Sequence, residues 1–270
     1  MGQPCLSPDL TMRRFFLDPN LLTEDQVDLP GETLKHLRVL RLSVGDRIEL
    51  LDGSGQVATA RIEILNRQNA QVRIVNRRQE KELALPVTLL QGLPKADKFD
   101  LILQKGTELG IRRFVPVLTQ RCQPDGGKRR LDRWQRIARE AARQSGRFRL
   151  PELEEPVPLA QALAREEGDL KLVAWEQAIT PLNQGLANRQ PQGVVLLVGP
   201  EGGFAPEEVA LAQRFDYLPI SLGPRILRTE TAGFVLAGIL QYVYGDLNRP
   251  AGGIEPAQTC PEQGGRRDGP

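Results

Sequence analysis

From Leu85 onward, short apolar runs alternate with amphipathic segments along the chain. The apolar runs predict five strands, at 87–90, 114–118, 170–174, 194–198 and 218–222. Apolar residues at helical spacing predict four helices between and after them, at 97–109, 131–145, 206–215 and 230–244. Because strands that alternate with helices form parallel sheets, we expect an α/β fold whose sheet carries helices on both faces.

The segment before Leu85 has a different pattern, with one helical stretch and several strands. Residues 31–41 have the spacing of a short helix, whereas 46–50, 56–62 and 70–75 are typical of strands. Between the first two strands lies Asp52-Gly53-Ser54-Gly55, a sequence typical of a hairpin turn. These patterns predict a small β-rich, barrel-like domain in front of the α/β domain.

The two ends of the chain differ from both domains. Residues 1–11 have no periodic pattern and are expected to be an irregular extension before Met12. Residues 247–270 are rich in proline and glycine and contain almost no apolar residues, which predicts a disordered tail.

Composition argues against several classes of protein. The three cysteines, Cys5, Cys122 and Cys260, are far apart, and the single histidine, His36, cannot complete a zinc site with them. One histidine also gives little support for Ser-His-Asp or Cys-His catalysis, and no P-loop motif occurs. The longest apolar run, at 194–198, is far shorter than the roughly 20 residues that a membrane-spanning helix needs. No signal-peptide pattern opens the sequence, so we expect a cytoplasmic protein without a metal ion.

Two predicted strands continue directly into loops that contain glycine. The strand at 194–198 is followed by Gly199-Pro200-Glu201-Gly202-Gly203, and the strand at 218–222 is followed by Gly223-Pro224. Glycine lets a backbone approach a ligand closely, and open α/β sheets bind ligands at the carboxyl ends of their strands. Each loop alone is explained equally well as a tight turn, but the two together predict a shared cleft.

The segment 121–150 is strongly basic, with ten Lys and Arg residues against three acidic ones. Within it, a helix presents a predicted core face that includes Leu131 and Trp134. A second face carries Arg129, Arg133, Arg136, Arg143 and Arg147. A basic helix face is often only solvated, but this density favours binding of a polyanion such as RNA.

Five segments of the chain occur in an order that is specific to one family. They are Arg13–Phe16, His36–Arg41, Lys105–Gly110, Gly199–Phe204 and Leu222–Ala232. Together they resemble the ribosomal RNA small subunit methyltransferase E family of the SPOUT superfamily, whose members methylate N3 of a uridine in 16S rRNA. The resemblance covers about residues 12–246. It implies a PUA-like β-barrel at 12–80 and a SPOUT methyltransferase domain at 81–246, which contains a parallel sheet and a C-terminal trefoil knot. Such a knot is an exception to the rule that chains avoid knots.

The same resemblance implies ligands, partners and site residues. The cofactor is S-adenosyl-L-methionine, the protein is a homodimer, and the substrate is 16S rRNA in the small ribosomal subunit. The implied cofactor-binding residues are Val198, Gly199, Gly203, Leu222, Gly223, Leu227 and Thr231. Contacts with RNA are expected from Arg13, Arg14, His36, Arg38, Arg41, Arg143 and Arg147. Members of the family commonly have an acidic residue where this chain has Arg143, which argues against catalysis and for RNA contact at that position.

The chemistry of methylation at uracil N3 suggests two catalytic residues. N3 is a weakly acidic imide nitrogen, which must lose its proton before it attacks a methyl group. A carboxylate can remove that proton, and an arginine can stabilise the anion that develops on the ring. We expect these roles for Glu230 and Arg228, because both lie at the loop that is expected to hold the cofactor; Glu108 and Glu201 are alternatives as the base. Two other functions stay open at this point: a non-catalytic RNA-binding protein of the same fold, or a SPOUT methyltransferase that acts on another RNA.

Overall fold

The computed structural model of the protein describes residues 12–82, 84–95, 97–122 and 129–249. The predicted extension at 1–11 lies outside the described residues, as does the predicted tail from residue 250 onward.

The N-terminal part of the chain is built on a five-stranded sheet. Its elements, in chain order, are β1 (Arg13–Phe16), a short 3-10 helix (Pro19–Thr23), β2 (Gln26–Asp28), α1 (Gly31–Val39), β3 (Arg47–Leu51), β4 (Gln56–Leu65) and β5 (Ala70–Gln79). The strand order is β1-β3-β4-β5-β2, with β1 parallel to β3 and the other pairs antiparallel. The predicted small β-rich domain is therefore confirmed.

Alternating side chains explain how this sheet holds its core. Val27, Ile48 and Leu50 of the strands are completely buried and pack with Leu37 of α1. Asp52 fixes the predicted turn between β3 and β4, because its Oδ1 accepts hydrogen bonds from the backbone amides of Ser54 and Gln56. The sequence did not predict β1 and β2, which have four and three residues, too few for a clear alternation.

The described residues that follow form the predicted α/β domain. Its elements are β6 (Val87–Gly92), α2 (Lys98–Glu108), β7 (Arg113–Leu118), α3 (Arg129–Ser145), β8 (Glu152–Leu153), β9 (Val157–Pro158), α4 (Leu159–Arg165), β10 (Leu170–Ala174), α5 (Leu182–Leu186), β11 (Val194–Val198), α6 (Pro206–Arg214), β12 (Leu218–Ile220) and α7 (Thr229–Tyr244). The strands run in the order β12-β10-β11-β6-β7-β8, β9 also pairs with β7, and all the pairs are parallel.

Helices cover both faces of this sheet, as predicted. The side chain of Leu89, in strand β6, lies on one face of the sheet, where it packs with Phe99 of α2 and Leu236 of α7. The next residue, Leu90, points to the opposite face, where it belongs to the core that includes residues of α4 and α6. A sheet buried on both faces requires nearly continuous apolar strands, which is why β11 reads Val-Val-Leu-Leu-Val. The trefoil knot is not tested by this strand order and stays a prediction.

The two domains meet at the carboxyl end of α3. Ala142 packs there with Phe16 and with Leu51 and Val57 of the N-terminal sheet. Arg14 of β1 donates a hydrogen bond of 2.7 Å to the carbonyl of Gly146, and its guanidinium lies 4.7 Å from the centre of the Phe148 ring. The joint therefore contains both apolar packing and buried polar contacts.

Candidate functional site

A cavity of about 760 Å³ lies at the carboxyl ends of β10, β11 and β12. This volume falls within the range of roughly 300–1,000 Å³ that is typical of small-molecule sites. Its lining consists of Lys98, 174–176, 198–204, 220–229 and Ala232. The predicted cleft between the two glycine-containing loops is therefore confirmed.

The loop after β11 approaches its neighbours very closely at Gly203. This residue has a φ of +68°, and a Cβ added to it would lie 3.3 Å from Oε1 of Glu176, which also lines the cavity. Only glycine fits both constraints without strain. Glu208 then fixes the start of α6, since its carboxylate accepts hydrogen bonds from the amides of Ala205 and Gln120.

Glu201 connects the same loop to the start of α2. Its carboxylate accepts hydrogen bonds from the backbone amide of Lys95 and forms an ion pair of 2.9 Å with the ammonium of Lys98. Partial burial opposes ionisation of this carboxyl, but the hydrogen bonds from Lys98 and from the backbone amides of Glu201 and Lys95 outweigh it. The pKa of Glu201 is therefore lowered from its ordinary value of 4.5.

A buried polar cluster joins the two loops behind the cavity. The Gln91 side chain, at the end of β6, is wholly buried and donates to the hydroxyl oxygen of Thr229 and to the Gly199 carbonyl. The Thr229 hydroxyl donates in turn to the same Gly199 carbonyl. Because Gly199 begins one loop and Thr229 ends the other, this cluster sets the distance between the two walls of the cavity.

The structure brings together most of the residues predicted to bind the cofactor. Val198, Gly199, Gly203, Leu222, Gly223 and Leu227 all line the cavity. Thr231 is not among the lining residues, whereas Thr229 and Ala232 are. Residues three apart lie on the same face of α7, and Thr231 lies on a different one. The sequence analysis missed two lining residues, Lys98 and Glu176, and the supporting residue Gln91. Glu176 lies just after β10, and Gln91 lies at the carboxyl end of β6.

The two predicted catalytic residues lie in different surroundings. Arg228 is exposed and lines the cavity. Glu230, on the first turn of α7, is 8% exposed and not among the lining residues, and its Oε2 has no hydrogen-bond partner in the described part of the chain. Of the alternatives, Glu201 lines the cavity, whereas Glu108 is exposed on α2 and paired with Lys105 at 2.9 Å.

The residues predicted to contact RNA fall into two groups. Arg13, Arg38 and Arg41 are exposed on the N-terminal domain. Arg143 is partly exposed on α3 and pairs with Glu140. The hydrogen bond from Arg143 lowers the pKa of Glu140, and the proximity of His36 on α1 lowers it slightly further.

Arg147 corrects the sequence analysis, which placed it on an RNA-binding face. It is buried, its Nε and Nη2 donate to Glu82, and its Nη1 donates to the carbonyls of Thr107 and Ile111. The helical spacing fails here because α3 ends at Ser145 and Gly146, with a φ of +75°, turns the chain inward. With its guanidinium occupied, Arg147 is withdrawn from the exposed basic surface of α3.

Arg14 is the second predicted RNA contact that is largely withdrawn from solvent. Its side chain is 14% exposed, and Nε pairs with Glu49 while Nη1 binds the Gly146 carbonyl. In contrast, Arg136 and Arg139 are exposed on α3, and the described residues provide neither with a carboxylate partner. Arg139, which the predicted basic face left out, is thus more accessible than Arg14.

The described part of the chain contains neither a metal-binding cluster nor a membrane-spanning helix. No group of three or more His, Cys, Asp or Glu side chains in those residues could hold a metal ion. None of the helices described is long and apolar enough to cross a membrane.

Comparisons with known proteins give consistent matches over both domains. Residues 81–241 match a family described as RNA methyltransferase domain, and residues 29–75 match one described as RNA methyltransferase PUA domain. Ribosomal RNA small subunit methyltransferase E of Synechocystis sp. is 38% identical over 81% of this chain and 74% of its own length. The Bacillus subtilis protein of the same name is 32% identical, over 86% of this chain and 96% of its own length.

A solved structure extends this similarity to three dimensions. It is the crystal structure of a ribosomal RNA small subunit methyltransferase E from Neisseria gonorrhoeae bound to S-adenosyl methionine. The two proteins are 36% identical and align with a TM-score of 0.80, over 87% of this chain and 99% of the other.

Proposed function

Since this chain belongs to the ribosomal RNA small subunit methyltransferase E family, we propose that it transfers a methyl group from S-adenosyl-L-methionine to N3 of one uridine in 16S rRNA. The observation that carries the proposal is the cavity between the two glycine-containing loops, at the end of the sheet where open α/β folds bind ligands. The relative from Neisseria gonorrhoeae was crystallised with this cofactor.

The cavity suits a ligand that has both an apolar ring and a positive charge. Val198, Leu222 and Leu227 provide an apolar wall, and the loops provide backbone donors and acceptors. The carboxylate of Glu176 lies beside Gly203 and can pair with a cationic group. When bound, S-adenosyl-L-methionine supplies an electrophilic methyl group on a sulfonium. We assign its binding to Val198, Gly199, Gly203, Leu222, Gly223 and Leu227, with Thr229 in place of Thr231.

Glu230 and Arg228 are our proposed catalytic residues. The buried Oε2 of Glu230 has no partner among the described residues, so it is available as an acceptor for the N3 proton of uracil. Removal of this proton by a positioned base is worth about 10²–10⁴ in rate. Arg228, exposed in the cavity, stabilises the negative charge that develops on the uracil oxygens. Glu201 is a weaker candidate as the base, because Lys98 already pairs with it.

The exposed basic residues of both domains hold the RNA in this proposal. Arg13, Arg38, Arg41 and His36 on the N-terminal domain and Arg143 on α3 bind backbone phosphates. The target uridine must leave any stacked arrangement to reach the cavity, which favours single-stranded or bulged RNA.

We further propose that the protein is a homodimer in the cytoplasm, where ribosomal subunits are assembled. Helix α7 presents a stripe of partly or fully exposed apolar side chains along one side, formed by Phe234, Val235, Ile239, Tyr242 and Val243. A contiguous exposed apolar surface of this kind is typical of an interface. Gly238 lies within the stripe, and a Cβ added to it would meet no atom within 4 Å. A second copy of α7 can therefore approach closely there.

The test is transfer of labelled methyl from S-adenosyl-L-methionine to 30S subunits that lack the native modification, followed by nucleoside analysis. We expect N3-methyluridine as the product. Failure to bind the cofactor, measured by calorimetry, together with failure to transfer would favour a non-catalytic RNA-binding protein. Cofactor binding without transfer to 30S subunits would indicate a methyltransferase that acts on another RNA.

A further inference from the structure

A second cavity, of about 310 Å³, lies at the opposite end of the parallel sheet from the first. Pro86 and Arg112, which line it, stand immediately before strands β6 and β7. Its remaining lining residues are Lys81, Glu82, Ala84, Leu85, Gly110 and Arg149. Strands β6 and β11 have six and five residues, so the two cavities at their opposite ends lie roughly 20 Å apart. This cavity is therefore independent of the cofactor site.

Three cationic side chains line this second cavity. Within the described residues, neither Lys81 nor the guanidinium of Arg149 has an ion pair. Arg112 has one exposed pair, with Glu152, at the long distance of 3.9 Å. Exposed pairs of this kind contribute little and leave the positive charge available.

The one acidic residue of the cavity does not neutralise these cations. Both carboxylate oxygens of Glu82 accept hydrogen bonds from the buried guanidinium of Arg147, and Oε1 also accepts from the backbone amide of Arg149. The negative charge of Glu82 is thus balanced by Arg147 behind the cavity wall. The cationic side chains of Lys81, Arg112 and Arg149 therefore give the cavity a net positive charge.

An apolar wall stands beside the cations, formed by Ala84, Leu85 and Pro86. A cavity with several cations on one side and apolar atoms on the other fits a phosphate group that carries a sugar and base. Arg presents a planar fork of donors that suits phosphate oxygens, and Lys contributes a point charge.

We propose that Lys81, Arg112 and Arg149 form a phosphate-binding site, and that its occupant is a backbone phosphate of the RNA substrate. The inference rests on the proposed function, because it takes the polynucleotide to be ribosomal RNA. Arg149 is placed for this role because its backbone pairs with Gly53 and Ser54 in the turn between β3 and β4.

The experiment compares the wild-type protein with the double variant Lys81→Gln/Arg149→Gln. Binding to unmodified 30S subunits is measured at several salt concentrations. We expect the double variant to bind about tenfold more weakly at low salt, and the slope of log K against log salt to fall by about 0.7 for each phosphate that the variant no longer neutralises. The charge-conserving variant Lys81→Arg/Arg149→Lys should restore most of the affinity. Arg189→Gln, at an exposed position before β11, serves as the matched control and should leave the slope unchanged.

A second measurement separates the two sources of a phosphate group. Calorimetry with inorganic phosphate tests whether the cavity takes the free anion. If the double variant loses phosphate binding while its 30S affinity and salt slope stay at wild-type values, the site serves a free anion and our RNA assignment is overturned. Unchanged values in both measurements would overturn the site altogether. Methyl transfer by the wild-type protein reports separately on the proposed function, because neither Lys81 nor Arg149 lies near the cofactor cavity.

Discussion

The side-chain amide of Gln91 donates a hydrogen bond of 2.9 Å to the hydroxyl of Thr229, although 138 residues separate them in sequence. Both residues also bind the carbonyl of Gly199. This hydrogen bond connects the middle of the sheet to both loops of the cofactor cavity. The Gln91 amide also donates to the carbonyl of Gly92, so a connected network of buried hydrogen bonds holds the loops in one relative position.

Removal of the Thr229 hydroxyl should therefore lower both the stability of the protein and its affinity for the cofactor. Thr229→Val keeps the shape of the side chain but leaves Gln91 without one acceptor. We expect a loss of about 1–3 kcal/mol in the free energy of unfolding, measured with denaturant, because the two buried hydrogen bonds of the Thr229 hydroxyl are both lost. Cofactor affinity, measured by calorimetry, should fall as well. Thr229→Ser retains the hydroxyl and should preserve the affinity; equal losses in both variants would show that the methyl group, and not the hydrogen bond, is what matters.

The role of Glu230 as the base can be tested with an isosteric change. Glu230→Gln removes the acceptor for the N3 proton and should lower the rate of methyl transfer by about 10²–10⁴. Cofactor affinity should stay unchanged, since the substitution is isosteric and Glu230 is not among the residues assigned to cofactor binding. Glu108→Gln, on the exposed side of α2, is the control and should retain full activity. Turnover by Glu230→Gln at the wild-type rate would remove this residue from the mechanism.

Substitution of Arg147 should mainly lower the stability of the fold, whereas substitution of Arg143 should mainly weaken RNA binding. Arg147→Met leaves the charge of Glu82 without its ion-pair partner and two backbone carbonyls without the guanidinium donor, so we expect a loss of about 3–5 kcal/mol in the free energy of unfolding. Arg143→Met breaks only a surface pair with Glu140 and should cost about 0.3–0.5 kcal/mol. Arg143→Met should instead weaken binding of the protein to 30S subunits.

Both Arg variants are compared by denaturant unfolding and by RNA binding in the same buffer. If Arg147→Met were as stable as the wild type and bound RNA more weakly, Arg147 would be an RNA contact, as the sequence pattern predicts.

These two arginines also show how far the sequence could predict the structure. The long helices were predicted to within about two residues, such as α3, expected at 131–145 and found at Arg129–Ser145. The two longest strands were predicted too short: β4, expected at 56–62, is Gln56–Leu65, and β5, expected at 70–75, is Ala70–Gln79. Strands β8 and β9 have two residues each, too few for any periodic signal. Within the site, the glycine-containing loops were found from their position after strands. Gln91 was missed, because a buried polar residue at the end of an apolar strand has no distinguishing pattern.

The dimer proposal predicts an effect at Gly238. Because a Cβ at this position meets no atom of the same chain within 4 Å, Gly238→Ala should leave the fold intact and favour the helix by about 1 kcal/mol. Gly238→Glu places a charge in the middle of the apolar stripe of α7, where a partner would have to desolvate it. We expect Gly238→Ala to stay dimeric and Gly238→Glu to be a folded monomer in sedimentation velocity experiments. A dimeric Gly238→Glu would place the interface elsewhere.

The ion pair between Glu201 and Lys98 predicts how cofactor binding depends on pH. The pKa of Glu201 is lowered in the folded protein, so the stabilisation from its charge is complete above the ordinary value of 4.5 and is lost as the pH falls through the lowered pKa. The loop that carries Glu201 lines the cavity, and we expect cofactor affinity to persist in acid until that lowered pKa is reached. Lys98→Met removes the favourable partner, so the fall in affinity should begin at a higher pH. Lys35→Met, on the exposed side of α1, is the control and should follow the wild-type curve. The measurement is calorimetric titration of the cofactor at decreasing pH, with circular dichroism to verify the fold. Coincident curves for Lys98→Met and the wild type would show that this ion pair does not position the loop.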